Sequence, residues 1–321
     1  MALTTMTYAQ AAATALGDLM RVDERVVALG EDLGRGGVFG QYRGLQAEFG
    51  ALRVIDTPIS EANIMGAAVG MALAGLRPVV EMRVIDFALC AIDEIVNQAA
   101  KNRFMFGGQG RVPLVMRLPI GIWSASAAQH TQSLEAWFAH IPGLVVVTPA
   151  TPQDNHGLLL SALASGDPVV YMEHKELWGL QAEVDTNELI ELGRARIARA
   201  GDDLTIVTWS RGVQLSLDAA QALSDDSGIS AEVIDLRTLW PWDRDAVLAS
   251  AARTKRLLVV HEAVQVAGFG AEVAASVAEA LNVPVKRLGA PRIPVGYSQP
   301  LENESRLSAA KIVASAKGFF K

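Results

Sequence analysis

The chain has 321 residues, of which 50% are hydrophobic and 20% are charged, and its 28 basic and 35 acidic side chains give a formal net charge of −7. This composition excludes a disordered chain, and a mildly acidic balance without a basic run disfavours nucleic acid as a partner. The single cysteine, Cys90, excludes an intramolecular disulfide and a cysteine-cluster metal site.

The first 175 residues alternate short β-branched runs with alanine-rich stretches. Near-continuous apolar strands separated by helices are typical of a parallel sheet covered on both faces, so we predict an α/β fold. The predicted strands are Val26–Leu29, Pro78–Glu81, Pro113–Arg117, Leu144–Thr148 and Pro168–Met172. The predicted helices are Tyr8–Arg21, Glu61–Leu76, Ala91–Arg103 and Thr151–Ser165.

A more polar stretch, Lys175–Asp203, follows, and we interpret it as the connection to a second, smaller α/β domain. The tail Gly289–Pro300, which carries several Pro and Gly residues, predicts an ordered loop. The length suits two domains. We expect the first domain at residues 1–185, a linker at residues 186–203 and the second domain at residues 204–321. The predicted elements of the second domain are strands Leu204–Trp209, Ala231–Leu236, Arg256–His261 and Val285–Leu288, and helices Val213–Leu223, Arg244–Ala252 and Gly270–Ala280.

The chain shows no apolar run of the roughly 18 residues that a membrane span needs. Its N-terminus has no basic region followed by a long apolar stretch, so no targeting segment is visible. We therefore expect no membrane as a partner and a location in a bacterial-type cytoplasm. The lone cysteine fits such a reducing compartment.

The helix predicted to begin at Glu61 is the most informative element. Ser60 is a good N-cap residue, which places Glu61 in the first turn, where the helix dipole stabilises a carboxylate. A structural role as a capping acid therefore explains Glu61 without any chemistry. Gly66, Gly70 and Ala74 follow at four-residue spacing, and this small-residue stripe allows another backbone to approach closely, within the chain or across a subunit interface.

Six stretches distributed over the chain form a more specific pattern. They are Gly30–Phe39, Arg53–Glu61, Ala91–Lys101, Gln129–Leu144, Val233–Pro241 and Gly268–Val273. Together they resemble the beta subunit of the thiamine-diphosphate-dependent decarboxylating component of 2-oxo acid dehydrogenase complexes, a transketolase-like family. The resemblance covers essentially the whole chain. It implies a pyrimidine-binding domain followed by a smaller transketolase C-terminal-like domain.

The resemblance gives Glu61 and Phe87 roles toward the cofactor. In the family, the glutamate that matches Glu61 contacts a ring nitrogen of the aminopyrimidine and stabilises its imino tautomer, which removes the proton from C2 of the thiazolium. The aromatic residue that matches Phe87 packs on that ring and fixes its orientation. Without the resemblance, the sequence would predict Phe87 to be a core aromatic residue at the end of a strand. Arg83 and Asp86 depart from the family pattern beside it, which leaves the substrate preference open.

His130 is one of five histidines, and a lone histidine is more often structural than catalytic. The resemblance places it where the family has an active-site histidine that acts on the bound intermediate or on the incoming lipoyl group. The titration range of imidazole suits proton transfer to a dithiolane sulfur. We therefore expect Glu61 and His130 to be catalytic, with Glu61 and Phe87 binding the cofactor.

One motif is missing. In the resembled families, a Gly-Asp-Gly and a later Asn hold the magnesium ion that grips the diphosphate, and no Gly-Asp-Gly occurs here. Magnesium prefers carboxylate and amide oxygens. We therefore expect an alpha subunit to hold magnesium and to share thiamine diphosphate with this chain in an α2β2 heterotetramer.

Some relatives also hold a structural potassium ion, largely through backbone carbonyls. The matching positions give a candidate potassium site. They are Leu114, Ala162, Leu163, Ser165 and Asp167.

The resemblance implies decarboxylation of pyruvate or a branched-chain 2-oxo acid, or cleavage of acetoin, with transfer of the acyl group to the lipoyl group of an acyltransferase core. Two alternatives remain open. A half-chain of a transketolase-like ketol transferase would share the fold and Glu61 but would need no lipoyl partner. A catalytically silent scaffold subunit would not need Glu61, Phe87 or His130.

Overall fold

The computed structural model describes residues 3–320, which divide into two compact units. The first unit comprises residues up to Ile120 together with Trp137–Leu192, and the second comprises Gly121–Ala136 together with the chain from Gly193 onward. The segment 121–136, which carries His130, therefore groups with the second unit. The domain boundaries expected at residues 185 and 203 stay a prediction.

The first unit is built on parallel strands, which confirms the predicted α/β class. Its strands are β1 (Thr4–Thr7), β2 (Val26–Gly30), β3 (Val54–Asp56), β4 (Arg77–Glu81), β5 (Val115–Arg117), β6 (Val145–Val147), β7 (Val169–Tyr171) and β8 (Gln181–Val184). Six of them pair in the order β6-β7-β5-β4-β2-β3, all parallel. The strands β1 and β8 form a separate antiparallel pair.

The helices of this unit cover both sheet faces. They are α1 (Tyr8–Val22), α2 (Leu45–Phe49), α3 (Glu61–Leu73), α4 (Asn102–Met105), the short α5 (Glu135–Ala139) that starts in the 121–136 segment, and α6 (Pro152–Ala164). The buried faces of α1 and α6 share one core with alternate strand residues such as Val26 and Ala28. Helix α3 packs against β4. Thr7 caps α1 in a capping box with Gln10.

The second unit has a five-stranded sheet in the order β14-β13-β10-β11-β9, in which only β9 is antiparallel. Leu204 and Ile206 face the core under α7 and α11, whereas Thr205 between them bonds to Ser250 and Thr254 on α8. Helices therefore cover both faces. The strands are β9 (Arg196–Arg199), β10 (Leu204–Thr208), β11 (Ala231–Asp235), β12 (Thr238–Trp240), β13 (Leu257–Val264) and β14 (Val285–Ala290). The helices are α7 (Gly212–Ser227), α8 (Arg244–Thr254), α9 (Gly270–Ala280), α10 (Gln299–Ser305) and α11 (Ala309–Lys317).

Three predictions about elements need correction. The stretch Lys175–Asp203 is not only a connection, because it contains β8 and β9. The tail loop is shorter than Gly289–Pro300, because β14 runs to Ala290 and α10 begins at Gln299. The helix predicted at Ala91–Arg103 is instead a 3-10 helix (Ile85–Ala91), a π-helical turn (Glu94–Ala99) and α4. The Asp93 carboxylate accepts hydrogen bonds from the side chains of Asn97 and Gln98, which suits the wider turn.

Among residues 3–320, the structure contains no helix with the length and apolar character needed to span a bilayer.

Candidate active site

The candidate site lies at the carboxyl edge of the first unit's parallel sheet. The register aligns the last residues of neighbouring strands, with Gly30 opposite both Asp56 and Glu81. The segment that follows β2 carries Glu31, the segment that follows β3 carries Glu61, and the segment that follows β4 carries Phe87. Ligands of open parallel sheets bind at this edge, because loops from neighbouring strands converge there.

Gly30 is required by the close approach of the neighbouring strand. A Cβ atom at this position would lie 2.7 Å from the carbonyl oxygen of Glu81 and 2.9 Å from its Cβ. Any side chain would therefore push β2 away from β4. The glycine keeps the two strand ends together, and with them the loops that carry Glu31 and Arg83.

Glu61 begins α3, as the sequence predicts, and is half-buried. Ser60 occupies the N-cap position but makes no capping hydrogen bond through its side chain. The Glu61 carboxyl forms no hydrogen bond or ion pair with any residue in the described part of the chain. A carboxylate at a helix N-terminus is stabilised by the unpaired backbone N–H groups of the first turn. Glu61 is thus held in place by its backbone while its side chain stays available to a ligand.

The buried Glu31 and the partly exposed Arg83 form an acid–base contact next to Glu61 that sequence reasoning missed. The Arg83 Nη1 atom lies 3.6 Å from Glu31 Oε2 and 2.8 Å from Asp32 Oδ2, and the Glu31 side chain is 9% exposed. Burial raises the pKa of the Glu31 carboxyl; the Arg83 guanidinium opposes this shift, and the charges of Glu61 and Asp32 add to it. The available signals were the position of Glu31 inside the Gly30–Phe39 motif and the unusual arginine at position 83.

Phe87 lies in the 3-10 helix Ile85–Ala91, which packs against α3. Its ring is half-buried, and its backbone N–H bonds to the Val84 carbonyl. The fold therefore brings the elements of Glu61 and Phe87 into contact within one unit. Asp86 beside it is buried.

His130 is exposed and belongs to the second unit. Its segment is irregular, with positive φ at Ser124, Ala125 and Ala127. Two carboxylates of the second unit hold the segment by its backbone. Glu262 Oε1 accepts from the N–H of Ile122 at 2.7 Å, and Glu302 Oε2 accepts from the N–H of Ala125 at 2.8 Å. Neither carboxylate was singled out from the sequence, because each lies far along the chain from the segment it holds.

A buried charge network stands behind the sheet edge. Arg117 and Glu173, both fully buried, form two hydrogen bonds of 2.8 Å. Asn155 donates a third hydrogen bond to Glu173 at 2.9 Å. The adjacent Glu81 is also buried, and burial raises its pKa to about 7 against the opposing charge of Arg117. This network fixes the ends of β4 and β5 directly below the loops of the candidate site.

Four of the positions considered for potassium lie at the end of α6 and in the turn into β7, and the fifth, Leu114, directly precedes β5 in the same unit. The carbonyl of Leu114 accepts from the N–H of Val169, and that of Ala162 accepts from the N–H of Ser165. The carboxylate of Asp167 pairs with Arg103. Leu163 is buried in the α6 core. Within residues 3–320, the structure has no cluster of three His, Cys, Asp or Glu side chains that could hold a metal ion.

Comparisons with known proteins match both halves of the chain. A model described as transketolase, pyrimidine binding domain matches residues 4–181, and one described as transketolase, C-terminal domain matches residues 193–312. The chain belongs to the transketolase-like family of 2-oxo acid dehydrogenase E1 beta subunits. The candidate site at the sheet edge lies within the part of the chain that matches the pyrimidine binding domain.

Three curated relatives illustrate the family. The chain is 43% identical to the acetoin:2,6-dichlorophenolindophenol oxidoreductase subunit beta of Cupriavidus necator, over 96% of this chain and 95% of the relative. It is 39% identical to the 2-oxoisovalerate dehydrogenase subunit beta of Bacillus subtilis, over 98% of both chains. It is 40% identical to the pyruvate dehydrogenase E1 component subunit beta of Rickettsia felis, over 97% of both chains.

A solved structure described as a split-gene transketolase, an inactive β4 tetramer, shares the fold with a TM-score of 0.82. It covers 98% of this chain and 97% of its own length at 23% identity. At that identity the likeness shows the architecture alone.

Proposed function

We propose that this E1 beta subunit, together with an alpha subunit, cleaves a 2-oxo acid or acetoin on thiamine diphosphate and passes the acyl group to the lipoyl group of an acyltransferase. The observation that carries the proposal is Glu61, a carboxyl fixed at the start of α3 and free of partners in the described chain. A capping acid alone would need neither the buried Glu31 nor Phe87 beside it.

The residues present fit the pyrimidine end of the cofactor. Glu61 offers a free carboxyl for a ring nitrogen, and Phe87 offers a half-buried ring on an element that contacts α3. The Thr57 hydroxyl, in the segment that leads from β3 to Glu61, is buried without a hydrogen-bond partner in the described chain. When bound, thiamine diphosphate supplies a carbon nucleophile that protein side chains lack.

This chain's residues then have separate tasks. Glu61 holds or accepts a proton at the pyrimidine nitrogen from its position in the first turn of α3. Phe87 restricts the orientation of the ring by packing against it. Arg83 neutralises Glu31 and so limits the repulsion between the two glutamates. We assign to His130 the transfer of a proton to the bound intermediate or the lipoyl group.

The alpha subunit and its magnesium ion are also part of the proposal. The described chain offers no carboxylate cluster for a divalent cation. The small-residue face of α3 is exposed, and a Cβ atom at Gly70 would have no atom within 4 Å. Leu73 on the same helix is 48% exposed. A bare apolar helix face next to Glu61 suits a second subunit that completes the site in an α2β2 heterotetramer.

The substrate is not selected by the comparisons, because relatives named for acetoin, 2-oxoisovalerate and pyruvate are all 39–43% identical to this chain. Arg83 at the site is the residue that we expect to influence the preference. We further propose a cytoplasmic location and a potassium ion near Leu114 and Asp167. Potassium-dependent thermal stability of the purified chain tests the ion, with sodium as the control.

Reconstitution tests the function. The full-length chain is mixed with an alpha subunit that is encoded in a neighbouring reading frame and contains Gly-Asp-Gly, and binding of thiamine diphosphate with magnesium is measured by calorimetry. We expect saturable binding by the pair and none by either chain alone. Tight binding by this chain alone would contradict the shared site. Ketol transfer without any lipoyl acceptor would favour the transketolase alternative.

A further inference from the structure

The second unit contains a cavity of about 420 Å³ that the proposed chemistry does not use. Its walls come from four parts of this unit: the segment that carries His130, the ends of β13 and β14, the loop 292–295, and Ser305 at the end of α10. His130 itself does not line it. The volume lies in the range of small-molecule sites, about 300–1,000 Å³.

Two hydroxyl groups in the cavity wall lack partners. The Oγ atoms of Ser133 and Ser305 are buried, and neither has a hydrogen-bond partner in the described chain. Ser305 is only 2% exposed. An unsatisfied buried hydroxyl costs about 1–3 kcal/mol, so native proteins rarely leave one without an occupant to bond to. Because both residues line the cavity, a rotation about χ1 can turn either hydroxyl toward a polar group inside it.

The charged residues of the wall favour an anion. Glu262 and Arg292 are the two charged residues in the lining. Glu262 is committed to the backbone N–H of Ile122. Arg292 is exposed and forms no hydrogen bond or ion pair within residues 3–320. The uncommitted charge is thus positive, and a guanidinium binds a carboxylate with paired hydrogen bonds.

The remaining wall is aliphatic. Ile122, Leu134, Ile293 and Val295 face the cavity, and none of its lining residues is aromatic. Such walls suit a short branched chain and offer no ring for a nucleotide base to stack on.

We propose that this cavity binds a short aliphatic carboxylate with a polar group on C2, its carboxylate at Arg292 and its C2 substituent at Ser305. A 2-oxo acid and an α-amino acid share this chemistry. Occupancy would brace the segment that carries His130, because Ala128 and residues 131–134, on either side of it, form one wall. The binding itself does not depend on the proposed decarboxylation.

The test uses the purified full-length chain without an alpha subunit, so that turnover plays no part. Calorimetry is run with 3-methyl-2-oxobutanoate and with valine, which distinguish the two sources. The probe 3-methylbutanoate lacks the C2 substituent, and 3-methylbutan-2-one lacks the carboxylate. We expect saturable binding of at least one C2-substituted acid, and affinity about tenfold or more weaker for the ketone.

Two variants and one control locate the site. Arg292→Gln should weaken binding of the acid about tenfold or more, and Ser305→Ala should remove the preference over 3-methylbutanoate. Arg244→Gln, an exposed arginine at the start of α8, should bind as the wild type does. Hydrogen exchange should slow at residues 128–134 when the acid is added. The proposal is overturned if neither C2-substituted acid binds, if the ketone binds equally well, or if Arg292→Gln leaves binding unchanged. Any of these results leaves the Glu61 proposal standing.

Discussion

The ring of His261 and the backbone of Gly270 are in such close contact that a Cβ atom at Gly270 would lie 2.6 Å from His261 Cδ2. The ring stacks on Trp209, with 5.2 Å between ring centroids, and its Nδ1 bonds to the Ala263 carbonyl. A Cβ atom at Gly268 or Gly289 would lie 2.7 Å or 2.8 Å from Cε1 of the same ring. His261 is therefore a packed element of the second unit's core.

Replacing Gly270 with alanine should destabilise the chain by roughly 1–3 kcal/mol, because the added methyl group collides with the imidazole ring. Denaturant unfolding of the full chain measures this difference. Gly179→Ala is the matched control, since a Cβ atom there has no neighbour within 4 Å. Equal effects of the two substitutions would show that the His261 ring can move aside.

His261 should make stability depend on pH. Burial lowers its pKa from 6.5 to about 4, so between these values the unfolded chain binds a proton that the folded chain does not. Stability should therefore fall by roughly 3 kcal/mol as the pH drops from 6.5 to 4. In the His261→Leu variant, this part of the dependence of unfolding free energy on pH should disappear. The variant His140→Gln, at an exposed histidine, should retain it. An unchanged slope in His261→Leu would contradict the assignment.

Glu81 should act in the opposite direction. Burial raises its pKa from 4.5 to about 7, so in this range the folded chain keeps a proton that the unfolded chain has lost. The contribution of Glu81 to the free energy of unfolding should fall by roughly 3 kcal/mol as the pH rises from 4.5 to 7. Glu81→Gln removes the titration, so its stability relative to the wild type should rise by that amount between pH 5 and pH 8. Parallel pH curves for the two proteins would refute this account of Glu81.

Breaking the buried pair of Arg117 and Glu173 should be costly. Arg117→Leu leaves the Glu173 carboxylate buried with only Asn155 to satisfy it, and we expect a loss of roughly 3–5 kcal/mol in unfolding free energy. The double variant Arg117→Leu/Glu173→Leu should recover much of this loss. Arg25→Gln, which breaks a solvent-accessible pair with Asp23, should cost no more than about 1 kcal/mol. A single variant as stable as the double one would show that the pair is not coupled.

The strands of the parallel sheet could be predicted because their apolar runs are nearly continuous. The run at Val26–Leu29 differs from β2 by one residue. Strand β8 was missed because it pairs only with β1 and carries alternating polar residues. A sequence pattern reports burial through apolar residues, and β8 buries few of them.

The candidate site was predicted in part. Glu61 was found because a helix start and a family motif coincide there, and Phe87 because the family resemblance places an aromatic residue at this position. The roles of Glu31, Arg117 and Glu173 were not predicted. Charged residues are rarely buried, and the sequence alone does not show which of them form pairs in the folded chain. The Arg83 contact with Glu31 depends on the parallel register of β2 and β4, which only the structure supplies.

Turnover by the reconstituted pair of subunits tests the role of Glu61 most directly. Steady-state rates with pyruvate, 3-methyl-2-oxobutanoate and acetoin are compared for the wild type, Glu61→Gln and the exposed control Glu24→Gln, after unfolding curves confirm that all three fold alike. We expect Glu61→Gln to lower the turnover number about 10²–10⁴-fold, the usual contribution of a proton-transferring group, and Glu24→Gln to leave it unchanged. Full activity in Glu61→Gln would contradict a catalytic Glu61 and would leave the chain a scaffold for its partner.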